Sequence, residues 1–492
     1  MNVSVCAEAL DELVPEILRL CKTPGMSIAV GRGDEVVLTK AYGYADVAAG
    51  REMTADTVGP TGSDAKTYTA AAAMQLVEAG LLGLDDPVND HLDGWKVINP
   101  LGAREITLRD LLTHRSGMGP TLGYCGLERP QPLDEHLRQI FAEGRSDLYG
   151  GAVMPLWTSP VGKRYQYSNT GIALVGLLVQ KLNPEGVDFS EWVERRVFEP
   201  LGMESTCFPA AHDAECARAD LLERRSTGYA TLGGYRFELP QVQIGDFPAG
   251  SALTTPSDHA RFVLALLNDG ALGTRRILTP ASARAMLTPQ GDGAIPGEDP
   301  SVGLTWNVFK HGEPLGYVGH GGEYFWGWNQ LTRGWPGPRV ALVISTNQWD
   351  LGDQGTSDRP SHLAARLVAE IVAAWVAGRD PRPAREPSAA LSYMAGVLIA
   401  DRYNGRLGIA RPLTDAEIEH IADTVAVEPD TPWDRDAFCE AMRAHKAAGG
   451  TPRDMLKLMR RQLTQEHSAL LQRRLGVPHL GEKLSPFLRA RD

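Results

Sequence analysis

Cysteine is scarce in this chain of 492 residues, and the few cysteines are scattered rather than paired. No Cys-x-x-Cys sequence occurs, no His-Cys cluster has the spacing of zinc ligands, and no His-Glu-x-x-His motif is present. We therefore predict reduced, mostly buried thiols, no metal and no cofactor. The six cysteines are Cys6, Cys21, Cys125, Cys207, Cys216 and Cys439.

Long apolar runs are missing as well. A membrane-spanning helix requires about eighteen consecutive uncharged apolar residues, and no stretch of this chain comes near that length. Residues 1–13 have no basic start and no unbroken apolar core, so they do not look like a secretory signal. We therefore predict a cytoplasmic protein that does not span a membrane.

Positively charged residues are fewer than negatively charged ones: the chain has 49 lysine and arginine residues and 61 aspartate and glutamate residues, for a net charge of −12. Such a chain does not attract nucleic acid or an anionic membrane. The exception is residues 451–492, where nine basic residues against four acidic ones give +5, so the remaining chain carries −17. The composition is otherwise that of a globular protein, with 43% hydrophobic and 22% charged residues.

The first informative motif is Ser63 and Lys66 in the stretch Thr61-Gly-Ser-Asp-Ala-Lys-Thr-Tyr. An alanine- and leucine-rich run from Ala70 to Leu82 follows it and predicts a helix. Residues three apart share a helix face, with Cβ atoms roughly 5–6 Å apart, so the hydroxyl and the amine would meet. A desolvated lysine loses its proton easily and can then take one from the serine. Alone the motif is weak, because a solvated lysine at a helix start has the same spacing.

Two later segments strengthen this interpretation. Tyr167 and Asn169 lie two residues apart, just before another apolar helical run. A Gly-His-Gly-Gly-Glu segment begins at Gly319 and precedes an aromatic strand. Ser-x-x-Lys, then Tyr-Ser-Asn, then His-Gly-Gly, in that order, resembles the serine hydrolases built like class C β-lactamases and penicillin-binding proteins.

The resemblance extends over most of residues 5–378. Four further segments look like family sequences, and the second of them matches the family's Leu-Leu-Thr-His-x-Ser-Gly signature. These segments are Leu81-Leu-Gly-Leu-Asp-Asp-Pro-Val, Leu111-Leu-Thr-His-Arg-Ser-Gly-Met, Phe247-Pro-Ala-Gly-Ser-Ala-Leu-Thr-Thr and Val340-Ala-Leu-Val-Ile-Ser-Thr-Asn.

The order of predicted elements indicates an α+β fold (an α/β sandwich), with an antiparallel β-sheet flanked by helices and an inserted all-α domain. We expect a β-lactamase-like catalytic region at 1–378, its sheet domain at about 1–55 and 296–378 and its helical insertion at about 56–295. Residues 379–387 have the composition of a linker. Residues 388–492 are predicted to form a helical C-terminal extension, with helices near 389–402, 414–425, 434–447 and 452–475.

The resemblance implies a role for each motif residue. Ser63 would attack a carbonyl carbon to form an acyl-enzyme, and Lys66 and Tyr167 would share the work of the base. Tyr167 would return a proton to the leaving group. Asn169 would hydrogen-bond Lys66 or the substrate amide.

The third motif departs from the lactamase pattern. Most penicillin-recognising members carry Lys-Thr/Ser-Gly, whose cation and hydroxyl hold a substrate carboxylate, whereas this chain has His320, Gly321 and Gly322. The two glycines would let the strand approach the substrate, and the N–H groups of Ser63 and Glu323 would form the oxyanion hole. β-Lactam hydrolysis is therefore less expected than the reactions of the family's esterases, amidases, D-aminopeptidases and acyl-transferring members. An α/β-hydrolase is rejected, because the chain has no Gly-x-Ser-x-Gly.

Aromatic residues near this motif form a candidate acyl pocket. Tyr324, Trp326 and Trp328 follow it directly, and Tyr124 lies in a long loop before Tyr167. They could wall an apolar acyl site, or alternate ones could pack into the core as part of a strand. Both alternatives stay open at the level of sequence.

Three functions fit these residues. The first is a hydrolase of ester or amide bonds in a small molecule or peptide. The second is an acyltransferase or cyclase that uses the same acyl-enzyme with an amine or hydroxyl acceptor, its donor being a carrier-bound thioester. The basic segment at 451–492 would suit an acidic carrier protein as the partner. The third, a binding or sensor protein with an inactive site, is disfavoured by the three intact motifs. The sequence does not indicate an oligomeric state.

Overall fold

The computed structural model describes residues 2–21, 23–102, 104–119, 125–126, 130–148, 152–209, 218–232, 235–239, 243–291, 300–324, 327–350, 360–379, 381, 414–424, 435–436, 439 and 443. The chain forms two compact units. The first comprises residues 24–229 and 238–349, and the second comprises residues 1–23, 230–237 and 350–492.

Strands of the described residues belong either to one large sheet or to short ladders. They are β1 (Gly25–Arg32), β2 (Glu35–Asp46), β3 (Arg51–Glu52), β4 (Gly59–Pro60), β5 (Cys125–Gly126), β6 (Arg145–Leu148), β7 (Ala152–Pro155), β8 (Gly228–Leu232), β9 (Tyr235–Leu239), β10 (Gln243–Ile244), β11 (Leu253–Thr254), β12 (Ala271–Leu272), β13 (Arg275–Arg276), β14 (Ser301–Val302), β15 (Asn307–Phe309), β16 (Tyr317–Tyr324), β17 (Trp328–Trp335), β18 (Val340–Thr346) and β19 (Gln348–Asp350).

Helices supply most of the remaining regular structure. They are α1 (Val3–Cys21), α2 (Ala65–Glu78), α3 (Leu108–Leu112), α4 (Leu133–Glu143), α5 (Asn169–Leu182), α6 (Phe189–Val193), α7 (Glu199–Leu201), α8 (Ala219–Glu223), α9 (Pro256–Leu267), α10 (Pro280–Leu287), α11 (Pro360–Val376) and α12 (Asp415–Thr424). Short 3₁₀ turns lie at Gly62–Asp64, Val88–His91 and Phe247–Ala249, and Glu194–Phe198 forms a π-helical turn.

The large sheet has the strand order β14-β15-β16-β17-β18-β1-β2-β3 and is antiparallel throughout. β1 pairs with β18, with Ser27 opposite Ser345, so strands from both ends of this unit lie side by side. α9 packs across these two strands, and Leu264 lies so close to Gly31 that a Cβ there would be 2.6 Å from Leu264 Cδ1. The predicted mixed fold, an antiparallel sheet flanked by helices, is confirmed.

α2 lies in the core of the first unit. Its alanines at positions 70 to 73 have no exposed surface, and it packs against α5 and the turn Phe247–Ala249. Alanine combines a high helix propensity with a small side chain, so this helix can be surrounded closely on all sides. Any polar group on its first turn is therefore removed from water.

Short two-stranded ladders lie among the helices of residues 56–295, and the sequence pattern did not predict them. β4 pairs with β11, β5 with β10, β6 with β7, and β12 with β13. Strands of two to four residues are too short to show a period of two, which is why the sequence does not reveal them. The predicted domain boundaries stay predictions.

In the second unit, α1 and α11 pack against each other, and Trp375 Nε1 donates to Asn2 O at 3.0 Å. α12 coincides with the helix expected near 414–425, and residues 435, 436, 439 and 443, which are helical, fall within the one expected near 434–447. The helices expected near 389–402 and 452–475 lie outside the described residues.

The side chains of four cysteines are buried, namely those of Cys6, Cys21, Cys207 and Cys439. Burial raises the pKa of the Cys6 thiol to about 12, so this thiol stays protonated and unreactive. Among the described residues, no helix has both the length and the apolar character needed to cross a bilayer. The cytoplasmic location stays a prediction.

Candidate active site

Ser63 lies on the 3₁₀ turn that precedes α2, and Lys66 lies on the first turn of that helix. Lys66 has no exposed surface, whereas Ser63 is partly exposed. The Lys66 Nζ is 3.0 Å from Ser63 Oγ and 2.6 Å from the carbonyl oxygen of Ala249. Because the carbonyl can only accept, Nζ donates to Ala249. A neutral amine therefore keeps its lone pair for the proton of Ser63.

Burial of the Lys66 amine lowers its pKa from 10.5 to about 7. Desolvation is the largest cause, and the negative charges of Asp246 and Asp64 raise the pKa part of the way back. A substantial fraction of Lys66 is therefore neutral near pH 7, as a general base must be.

Tyr167 lies beside both groups. The Lys66 Nζ is 4.9 Å from the centre of the Tyr167 ring, and the phenol interacts with Ser63. Burial raises the pKa of Tyr167 well above 10, and the hydrogen bond with Ser63 only partly opposes this. The phenol therefore keeps its proton at neutral pH, so of these two groups Lys66 is the one able to accept the proton of Ser63.

Asn169 is the first residue of α5 and is 9% exposed. The preceding Ser168 caps this helix, because its hydroxyl accepts a hydrogen bond from the Gly171 N–H at 3.1 Å. α5 packs against α2, so the segment Tyr167 to Asn169 is carried to the same part of the core as Lys66.

Two glycines allow the turn Gly62–Asp64, which carries Ser63 and is called the nucleophile turn below, to lie directly against β16. A Cβ on Gly62, which has φ +53, would lie 2.7 Å from the backbone of Glu323. A Cβ on Gly322 would lie 1.7 Å from the carbonyl oxygen of Thr61. The backbone next to Ser63 is thus in direct contact with the backbone of Glu323, and the assignment of their N–H groups to an oxyanion hole stays a prediction. Gly321 is exposed, and a Cβ there would contact only Gln330 O, at 3.9 Å.

His320 is buried on β16, where it contacts the carboxylate of Asp64, a residue that the sequence analysis did not select. Its Nδ1 lies 2.9 Å from Gly321 O and 3.2 Å from Asp64 Oδ1. The other oxygen of Asp64 accepts hydrogen bonds from Gln330 Nε2 and Thr332 Oγ1, each at 2.8 Å. Burial raises the pKa of Asp64, but the contacts with His320 and His259 outweigh it and hold the pKa below its usual value.

Asp246 is a second buried carboxylate that the sequence analysis missed. Its oxygens are 3.0 Å from His136 Nε2 and 2.8 Å from the donating hydroxyl of Thr170. Its own carbonyl accepts from Ala249 N–H at 2.9 Å, in the turn whose carbonyl receives Lys66. Asp246 therefore shapes this turn and also supports the charge of Lys66.

His114, within the Leu-Leu-Thr-His segment, packs against Tyr167 with ring centres 4.4 Å apart and ring planes tilted by 36°. Its Nδ1 accepts from the Ser168 N–H at 3.3 Å, and its backbone has φ 55. Burial, and then the charges of Lys66 and His320, hold the pKa of His114 well below its usual value. The neutral ring is a fixed wall for Tyr167. The sequence analysis identifies this segment as a family signature but assigns no role to His114.

The candidate acyl-pocket residues are only partly described. Tyr324 and Trp328 are buried in a small apolar cluster with Ile244, and Trp328 Nε1 donates to Ser226 Oγ at 2.9 Å. Tyr124 and Trp326 lie outside the described residues. Within the ranges described, no group of three or more His, Cys, Asp or Glu side chains is arranged to hold a metal ion.

A serine on a turn packed against an antiparallel sheet, beside a buried lysine on the helix that follows, is typical of a serine-hydrolase site. Residues 10–367 match the family described as Beta-lactamase, and the chain belongs to this family. The predicted family membership is thus confirmed.

Two curated relatives and one solved structure illustrate the similarity. Protein Rv1367c of Mycobacterium tuberculosis (strain ATCC 25618 / H37Rv) is 30% identical over 283 residues, which are 54% of this chain and 67% of that protein. Penicillin-binding protein 4 of Amycolatopsis lactamdurans is 32% identical over 272 residues, which are 54% of this chain and 65% of that relative. The crystal structure of D-amino acid amidase from Ochrobactrum anthropi SV3 has a TM-score of 0.56 at 22% identity. That similarity covers 73% of this chain and 97% of the amidase chain, and it shows the fold.

Proposed function

We propose that the protein is a serine hydrolase that cleaves ester or amide bonds of a small molecule or peptide through an acyl-enzyme on Ser63. The observation that carries this proposal is the 3.0 Å contact between Lys66 Nζ and Ser63 Oγ, made by an amine whose pKa is lowered to about 7. For a lysine with a purely structural role, burial without a full countercharge would contribute no stabilisation to the fold.

In the proposed mechanism Lys66 takes the proton of Ser63 while Oγ bonds to the carbonyl carbon of the substrate. The Ser63 and Glu323 N–H groups stabilise the negative oxygen, and each such donor contributes roughly 10²–10³ in rate. Tyr167 gives its proton to the leaving group as the bond to that group breaks, and the Lys66 ammonium returns a proton to Tyr167. Water then attacks the acyl-enzyme, releasing the acid and restoring Ser63.

Mass spectrometry of the intact protein tests the proposal. The full chain, treated with p-nitrophenyl esters of several acyl groups, should gain the mass of one acyl group, and Ser63→Ala should gain none. Ser301→Ala, on the edge strand β14, is a matched control that should acylate like the unmodified chain. Equal acylation of the Ser63→Ala protein would contradict the proposal.

Acyl transfer or cyclisation is the second candidate, and the charge of +5 on residues 451–492 is the observation that favours it. In this version an acidic carrier protein delivers the acyl group as a thioester, attracted by the basic segment. The lifetime of the acyl-enzyme separates the two functions. Decay that is equally fast with and without added amines indicates hydrolysis. A long-lived adduct that amines discharge into amide products indicates transfer.

A further inference from the structure

Asp64 directly follows the nucleophile, and the proposed mechanism gives it no task. Its side chain has no exposed surface. An isolated buried carboxylate is strongly unfavourable unless its environment compensates the charge. Here three side chains from two strands converge on it: His320 from β16 and Gln330 and Thr332 from β17.

The two oxygens of Asp64 have different surroundings. Oδ2 accepts from Gln330 and Thr332, which ties the nucleophile turn to β17. Oδ1 is buried without a hydrogen bond among the described residues and lies 3.2 Å from His320 Nδ1, whose own hydrogen bond is with Gly321 O at 2.9 Å. A carboxylate and a carbonyl can only accept, so the proton of a neutral His320 ring belongs on Nδ1. The lone pair is then on Nε2, at the far side of the ring from Asp64.

A second histidine, His259, also lies near Asp64, and its contacts indicate which of the two imidazole rings Asp64 positions. His259 Nε2 is 3.9 Å from Asp64 Oδ2, beyond hydrogen-bonding distance, and its Nδ1 is 2.5 Å from the hydroxyl of Tyr68. Burial lowers the pKa of His259 to about 4, so it is neutral and is oriented by Tyr68. Asp64 therefore acts on His320, which also lies within electrostatic range of His114, the ring packed against Tyr167.

We propose that Asp64 is a positioning residue that, together with the Gly321 carbonyl, holds His320 in its Nδ1–H form, so that Nε2 is the proton-accepting atom that His320 offers. The inference rests on the proposed function. It gives a physical meaning to the exchange of lysine for histidine on this strand. In its neutral form, His320 held in this way presents an acceptor, where the lactamase pattern presents a cation.

The tautomer can be read directly from the full chain labelled with ¹⁵N-histidine. Long-range ¹H–¹⁵N correlation at pH 9, with His320 assigned by its loss in His320→Gln, should show a protonated Nδ1 in the unmodified protein. Asp64→Asn should shift His320 toward the Nε2–H form while the His259 signals stay in place. Thr332→Val, which removes one hydrogen bond and keeps the carboxylate, should retain the Nδ1–H form. An Nε2–H ring in the unmodified protein overturns the proposal, and this reading does not depend on the folding of any variant.

Ester hydrolysis at pH 9 provides the functional half of the test, because Lys66, with a pKa of about 7, is then neutral in every variant. Asp64→Asn should lower kcat by at least about tenfold with little change in KM, as loss of a tautomer-setting carboxylate does. In a His320→Gln background the same change should cost less than about twofold, because Asp64 would have no partner to position. An undiminished cost in that background overturns the proposal. Failure of Ser63 to acylate would instead defeat the proposed function while leaving the tautomer result intact.

Discussion

At the scale of single residues, one environment has opposite effects on two neighbouring groups. Burial disfavours the charged form of any side chain, so it neutralises Lys66 and keeps the proton on Tyr167. The sequence analysis had the two sharing the work of the base. We propose a division of labour instead, in which Lys66 accepts the proton of Ser63 and Tyr167 carries one to the leaving group.

The first prediction concerns pH. Activity toward a p-nitrophenyl ester should rise as the pH increases through about 7, because Lys66 acts in its neutral form. Asp246→Asn removes a negative charge that raises this pKa, so the acid limb of kcat/KM should move to lower pH. The measurement is kcat/KM from pH 5 to 9 for both proteins. A limb that stays in place in the Asp246→Asn protein would show that it belongs to another group.

Tyr167→Phe should lower kcat by about 10²-fold or more, because it removes the proton carrier while the ring keeps its packing against His114. Steady-state kinetics with an ester measures the effect, and thermal unfolding should show that stability is retained. Tyr165→Phe is the matched control, since it changes the neighbouring buried tyrosine and should keep most of the activity. Full activity of Tyr167→Phe would mean that Lys66 works without it.

At the scale of elements, the site depends on Gly62 and Gly322, which have no side chain and therefore let the nucleophile turn pack directly against β16. The β15 ladder ends at Gly319, so the following residues of β16 are paired on the β17 side. The close approach at Gly322 is a backbone contact with Thr61, which no side-chain rearrangement can relieve. Gly321, by contrast, has room for a methyl group.

The matched pair Gly322→Ala and Gly321→Ala tests this contact. Gly322→Ala should destabilise the protein by about 1–3 kcal/mol, because the new methyl group overlaps the Thr61 carbonyl. Gly321→Ala should change the unfolding free energy by no more than about 0.5 kcal/mol. Denaturant unfolding of both variants measures the difference. Equal stabilities would show that the turn does not rest on β16.

The same strand predicts poor activity on penicillins and cephalosporins. His320 and Gly321 replace a lysine and a hydroxyl residue that hold the substrate carboxylate in the penicillin-recognising pattern. A charge-assisted hydrogen bond is worth about 1.5–3 kcal/mol, so kcat/KM for nitrocefin should be about tenfold to a hundredfold below that for a good ester. Nitrocefin hydrolysis as efficient as ester hydrolysis would contradict the prediction.

At the scale of the whole molecule, charge is distributed unevenly along the chain. Residues 451–492 carry +5 and the rest of the chain carries −17. We expect this basic segment to contact an acidic surface, on the chain itself, on a second copy or on an acidic partner. Such attraction between exposed charges weakens with salt, over a screening length of roughly 10 Å at 0.1 M.

Deletion after Arg385 tests whether the extension belongs to the catalytic region. The family match ends at residue 367, so the truncated chain should fold and should still be acylated by a small ester. Circular dichroism and intact mass measure the two properties. A truncated protein that is insoluble or unreactive would place the extension within the catalytic fold. Any response to an acidic carrier protein should be lost on truncation and weakened by salt.

The sequence alone determined the family and the mixed fold, because both follow from the order of local patterns. Ser-x-x-Lys, Tyr-Ser-Asn and His-Gly-Gly are short motifs, and the strands and helices around them are long enough to show their periods. The proximity of Lys66 to Ser63 also follows from local geometry, since residues three apart share a helix face. The residues assigned to the oxyanion hole and the acyl pocket rest on the resemblance and stay predictions.

Tertiary structure alone decided which groups surround those motifs. Three of these groups, Asp64, Asp246 and His114, contact partners far away in the chain. Thr332 contacts Asp64 and His136 contacts Asp246, and no local sequence spacing predicts such pairs. The protonation states of Lys66 and Tyr167 also depend on burial, which packing sets. Electrostatic energy in a protein depends on distance through space and on solvent exclusion. Both quantities are properties of the folded molecule, and the linear sequence does not contain them explicitly.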